Sequence, residues 1–255
     1  MSFSIQNFDF YLLILVRITG YFFTAPFFSQ KNVPIRVKTG LSIFMAAILI
    51  YAVPYTAPEY NTVIGFAILI VKEALAGAIM GLFANIAYLI LAFSGQIIDM
   101  EIGFSMVNEI DPTTNIQTTI TANLYGYLVL LVMFITNLHH FFIRAIIDSF
   151  QLIEIGRVNL NPNLYQLMMQ FMIDYFIIGF RIVLPVFAAI LIVNTLLAIL
   201  AKIAPQMNMF VIGMQIKIFI GLIVLAVMME LIPGVADKIF NEMKELLLQS
   251  IKLLQ

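Results

Sequence analysis

Six ionisable residues stand inside otherwise apolar stretches of this 255-residue chain: Arg17, Lys72, Glu73, Asp174, Arg181 and Lys217. A charge in hydrocarbon is costly unless it is paired or hydrated, so each of these positions marks a role. Two kinds of chemistry fit them. Asp174 and Arg181 lie seven residues apart, two turns along one helix face, where they could relay protons or hold a small solute as in a secondary transporter. Alternatively, the six residues pair between subunits and fix the register of an assembly. The second reading is favoured, because the sequence has neither a carboxylate cluster nor a second copy of the motif.

Other reactive patterns are weak. His139-His140 offers two imidazoles, but adjacent helical residues point about 100° apart and no third ligand stands at a suitable spacing, so no metal site is expected. The chain has no P-loop, HExxH, nucleophile elbow or dinucleotide fingerprint, which leaves enzymatic chemistry without a seat and calls for no cofactor. Residues 95–115 are unusual in mixing Phe104, Met106 and Ile110 with Asp99, Glu101, Glu109, Asp111 and Asn108. Such a segment suits neither lipid nor a plain solvated loop. It fits a pore-lining or pore-closing loop, with an extramembrane connector as the plainer alternative.

The elements that must position these residues are membrane helices. No charged residue lies between Asp111 and Arg144 or between Arg181 and Lys202, in a chain that is 62% hydrophobic with a mean hydropathy of +1.04. These runs exceed the roughly 20 residues that span a bilayer core. A net charge of -1 with no charge run excludes a nucleic-acid surface, and the absence of Cys excludes disulfides, thiolate metal sites and S-palmitoylation. Residues 1–10 carry Asp9 but no Lys or Arg, and no cleavage site follows a short apolar core, so the first helix is expected to be retained.

Six or seven apolar blocks can be drawn, at 8–28, 41–53, 64–93, 124–138, 167–200 and 209–232, with the chain turning polar over 94–123. Block 167–200 is too long for one straight crossing, and Pro185 predicts a break there. Residues 204–208, with Pro205, Gln206 and Asn208, predict a turn joining the last two blocks as a helical hairpin. Beyond Pro233-Gly234, Val235, Ile239, Met243, Leu246, Leu247, Ile251 and Leu254 predict an amphipathic helix. Gly77 and Gly81 form a small-residue face for close helix packing. Lys31, Arg36, Lys38 and the three Lys of the tail favour the cytoplasm, and six crossings put the tail on the wrong side. A seventh crossing, made by splitting at Pro185, repairs the count.

Read in order, several motifs resemble the FliR family, the flagellar type III secretion export-gate proteins called SctT in injectisomes. They are Arg17-Ile18-Thr19-Gly20, Ala25-Pro26, Val33-Pro34-Ile35-Arg36, Lys72-Glu73 with Gly77 and Gly81, Gly95 through Asp99 to Asp111-Pro112, and Leu184-Pro185-Val186. The most specific is Asn194 followed by Ala201-Lys202-Ile203-Ala204-Pro205-Gln206-Met207-Asn208 and on to Gly213, Lys217 and Gly221. His139-His140 and Gln206-Met207-Asn208 favour the flagellar branch over the injectisome counterpart.

The resemblance implies an all-α integral membrane protein, with a FliP-like helical part at 1–180 fused to a FliQ-like hairpin at 181–255. Such a chain would be a non-enzymatic subunit of an export gate in the bacterial inner membrane, at the flagellar basal body. Its implied partners are FliP-like and FliQ-like subunits, an FlhB-like switch protein, an FlhA-like export component, unfolded flagellar protein substrates and membrane lipid, with no nucleic acid. The family's channel plug maps onto about 103–117, with Gly103, Phe104, Met106, Asn108, Glu109, Ile110, Asp111 and Pro112. There Gly103 would allow a tight bend, and apolar side chains, Met among them, would seal a lumen yet deform as substrate passes. The resemblance also places the turn at Pro205, Gln206 and Asn208 at the cytoplasmic mouth of the channel.

Overall fold

The computed structural model describes residues 5–26, 28–29, 33–106 and 119–255. Among them all regular structure is helical. The helices are α1 (Ile5–Thr24), α2 (Ile35–Ala52), α3 (Val63–Ile102), α4 (Ile120–Ile135), α5 (Leu138–Leu152), α6 (Leu164–Ile203), α7 (Met209–Met228) and α8 (Ile232–Leu253). Tight 3-10 turns cover Phe104–Met106 and Met229–Leu231.

The boundaries follow local chemistry. Helix α2 starts directly after Pro34 and stops at Val53, whose extended backbone is what the following Pro54 demands. Asn208 opens α7 by accepting the Phe210 N–H on its side chain. Pro233 falls in the first turn of α8, where its missing N–H has no helical partner to lose.

Two boundaries differ from the sequence expectation. Helix α6 does not break at Pro185 but runs through it for 40 residues. Proline removes one backbone hydrogen bond, to the carbonyl of Arg181, and Val183, Val186 and Ile190 are buried around it and hold the helix together. No seventh crossing arises there. Helix α3 likewise continues past the polar onset at Ser94 as far as Ile102. Ser94 is tolerated because its hydroxyl donates to the carbonyls of Ile90 at 2.8 Å and Gly179 at 3.1 Å. Among the described residues, four helical stretches are long and apolar enough to cross a membrane: Ile35–Ala52, Val63–Asn85, Leu164–Ile203 and Met209–Leu253. Helices α4 and α5 pass the same test jointly.

The chain divides into two compact units that interleave along the sequence. The first comprises Met1–Ala87, Thr136–Met172 and Phe240–Gln255. In its core, α1 contributes Phe10, Leu13, Ile14, Ile18 and Tyr21, buried at helical spacing. From α8 come Met243, Leu247 and Ile251, with Leu254 just past its end, so the amphipathic helix uses the face its sequence predicts. The second unit comprises Tyr88–Ile135 and Ile173–Ile239. Here α6 and α7 form a hairpin turning at residues 204–208, with Gly213 against the Leu197 side chain.

Candidate functional site

In the first unit α1 and α3 meet through small residues. A methyl group on Gly20 would lie 2.6 Å from the Ala74 carbonyl oxygen, and one on Gly77 or Gly81 would overlap the Arg17 or Tyr21 backbone. Backbones approach this closely only where side chains are absent. Thr24 adds a hydroxyl donated to the Ala78 carbonyl at 3.1 Å. The close approach carries Arg17 onto Glu73.

Arg17 and Glu73 are both 0% exposed and form a two-pronged ion pair, Nε to Oε2 at 2.5 Å and Nη2 to Oε1 at 3.1 Å. The third guanidinium nitrogen is used as well. Nη1 donates to the carbonyls of Ser149 at 3.3 Å and Ile153 at 3.1 Å, at the end of α5, where a cation complements the helix dipole. The Phe150 ring centre lies 4.5 Å from the guanidinium carbon. Glu73 also accepts the Gly156 N–H at 2.8 Å, and Gly156 has φ of +84°, a backbone state that glycine adopts without strain. The expectation that Arg17 and Glu73 pair with neighbouring subunits is therefore corrected. They satisfy each other because the glycine contact brings their helices together inside one chain.

The other four charges have a different fate. Lys72, Asp174 and Lys217 are half-buried and Arg181 is exposed, and among the described residues none of them makes an ion pair. On α6, the buried residues Gly179, Ile182, Val183, Val186 and Ile190 face inward, with Gly179 packed on Phe93 and Ser94. Asp174 and Arg181 stand on the opposite side, next to the exposed Ile177 and Leu184. Lys217 lines a cavity of about 290 Å³ with Glu101, Gly103, Asn194 and Phe210.

Where α3 ends, Gly103 takes φ of +99° and Phe104 begins the 3-10 turn that runs to Met106. Asn108, Glu109, Ile110, Asp111 and Pro112 lie outside the described residues. Of the hairpin residues, Pro205 and Gln206 form the exposed turn, and Asn208 caps α7. The His139 and His140 ring centres lie 4.1 Å apart with their planes tilted by 39°, and among the described residues no three His, Asp or Glu converge as metal ligands.

Two features go beyond the sequence expectation, which counts Asp99 only as one carboxylate of a pore-lining or pore-closing loop at 95–115. Asp99 is fully buried near the end of α3, and its carboxylate accepts the backbone N–H of Thr121 at 3.1 Å and the Thr121 hydroxyl, capping the start of α4. The Thr run ahead of an apolar block signals a helix start, but a cap supplied from 22 residues away leaves no local pattern. Ser149 and Gly156, which complete the Arg17–Glu73 cluster through their backbones, are equally invisible to a reading of side-chain types.

The chain is similar to known proteins over most of its length. A family model described as bacterial export proteins, family 1, matches residues 8–243. Flagellar biosynthetic protein FliR of Bacillus subtilis (strain 168) is 32% identical over 246 residues, covering 94% of each chain. The protein of the same name in Escherichia coli (strain K12) is 29% identical over 238 residues, covering 93% of this chain and 90% of its own. That of Aquifex aeolicus (strain VF5) is 26% identical over 236 residues, covering 91% and 89%.

Proposed function

Because the chain belongs to the FliR family of bacterial export proteins, family 1, we propose that it is a non-enzymatic subunit of the flagellar type III export gate in the bacterial inner membrane. In this reading, residues 1–180 form a FliP-like part and 181–255 a FliQ-like hairpin, and together with separate FliP-like and FliQ-like subunits they surround a channel for unfolded flagellar proteins. Residues 103–117 plug the channel, starting from the bend at Gly103. The turn at Pro205, Gln206 and Asn208 faces the FlhB-like switch protein, and the FlhA-like component works with the gate. Energy comes from those other components.

The observation that carries the reading is the outward set of charges on apolar helices. Asp174 and Arg181 lie on the side of α6 opposite its buried face, and among the described residues neither has an ion-pair partner. Lipid tails satisfy neither group, whereas a neighbouring subunit can supply the opposite charge. A secondary transporter would need the two residues to enclose a solute between helices. Their placement on an outer row is the reverse of that.

The test is co-expression of the tagged chain with FliP-like and FliQ-like subunits. The three are expected to elute together, and replacing Phe104, Met106 and Ile110 by Gly in that complex is expected to make vesicles leak ions. A chain that elutes alone and binds a small solute would replace this reading with the transporter.

A further inference from the structure

Helix α6 has more exposed apolar length than a membrane can cover. Exposed large apolar residues run from Tyr165 to Ile203, a rise of about 57 Å, against a hydrocarbon core of about 30 Å. Close to half of that face must therefore lie against protein or stand in water, and water is the costly option for residues such as Ile173 and Ile177, 56% and 44% exposed here.

Asp174 and Arg181 specify what covers it. Seven residues make two helical turns, with a drift of about 20° and a rise of about 10.5 Å, so both charges stand in one row with Ile177 and Leu184. The two do not pair with each other. A lipid phosphate would satisfy Arg181 but not Asp174. A second copy of this chain fits poorly, because copies inserted in the same direction are related by an axis along the membrane normal. Their α6 helices then run parallel, with Asp174 opposite Asp174 and Arg181 opposite Arg181.

We infer that the outer row of α6 is the seat of an apolar helix from a different subunit, bearing a basic side chain level with Asp174 and an acidic one level with Arg181, two turns apart. This rests on the export-gate reading and names the chemistry of one of its contacts. The sign order fixes the register. A slip of one turn moves each partner charge about 5.4 Å from its counterpart and sets apolar groups against both ions.

The experiment places a photo-crosslinking residue at Ile177 or Leu184 in the full chain, co-expressed with the export subunits. Adducts are then identified by mass spectrometry. The expected adduct is a helix of another chain with the stated charge pair flanking the crosslinked position. Reversal of the row, Asp174→Lys with Arg181→Glu, is expected to lower recovery of the complex about tenfold, and the reciprocal swap in the crosslinked helix is expected to restore it. Adducts to lipid alone, to a second copy, or to a helix without the two charges overturn the inference, as does full recovery of the complex with the reversed row. If the unaltered chain recovers no export subunit, the export-gate reading itself fails. If it does recover them while Ile177 labels only lipid, that reading stands and only the α6 contact is wrong.

Discussion

The α1–α3 contact and the outer row of α6 both place opposite charges in apolar helices, and they resolve them in opposite ways. Arg17 and Glu73 are sealed from solvent and paired within the chain, whereas Asp174 and Arg181 lie opposite the buried face of α6 with no ion pair among the described residues. The first pair belongs to the folding of the chain; the second, on the proposed reading, is left for a partner. An ionisable residue in an apolar helix is thus a marker of some partner, and backbone approach decides whether that partner lies inside the molecule. Glycines at 20, 77 and 81 let α3 come close enough to deliver Glu73, while among the described residues nothing supplies Asp174 with an opposite charge.

The largest test of this contrast is Glu73→Ala. It leaves a buried guanidinium unpaired and is expected to lower the stability of the detergent-solubilised chain by about 3–5 kcal/mol, whereas Arg17→Met with Glu73→Leu recovers most of that loss. Thermal unfolding of the single and double variants measures both. Next comes Gly77→Leu, whose side chain would collide with the Arg17 carbonyl. Forcing the helices apart is expected to cost about 1–3 kcal/mol and to loosen the ion pair, read as faster hydrogen exchange at Gly156.

Asp99→Ala removes the cap on α4 and is expected to cost about 0.5–2 kcal/mol, with exchange rising first at Thr121. By comparison, Asp174→Ala in the isolated chain is expected to stay within about 0.5 kcal/mol, the range of surface substitutions. A loss as large as that of Glu73→Ala would erase the distinction between the two regions.

The smallest effect is expected at Tyr60, whose hydroxyl donates to Asp9 at 2.5 Å and ties the loop before α3 to α1. The Asp9 carboxylate, as hydrogen-bond partner, raises the Tyr60 pKa above its ordinary value. The phenol therefore stays protonated in the folded loop at a pH where the unfolded one ionises. The contribution of the tie is complete below about pH 10 and is lost as pH climbs through the raised value. Limited proteolysis of residues 53–62 is expected to become easier at strongly alkaline pH in the native chain, and Tyr60→Phe is expected to abolish that step.

What the sequence made legible was whatever repeats or acts locally. The α8 stripe of Ile239, Met243, Leu246, Leu247 and Ile251 is buried as its spacing predicts, and so is Leu254 just past the helix end. Gly77 and Gly81 mark a close crossing, and Pro205 with Asn208 marks a turn. The errors came from reading polarity as a boundary. Ser94 looked like the end of α3, yet a hydroxyl satisfied by two carbonyls is cheap inside a helix bundle. Pro185 looked like a break, yet one missing hydrogen bond is outweighed by buried neighbours on both sides. The partner of Arg17 could not be read at all, since the contact joins residues 56 apart and depends on how two helices cross.

The continuity of α6 through Pro185 also has a mechanical consequence. The part of α6 inside the second unit, residues 173–203, is about 45 Å long, so a tilt of about 7° at its first residue carries its Ile203 end through about 5.5 Å, close to the pitch of one helical turn. Small angular disturbances at one end would thus arrive at the other as steps the size of a register change. Pro185, at the middle of the exposed run, offers the point of least bending resistance, where such motion would be absorbed or passed on.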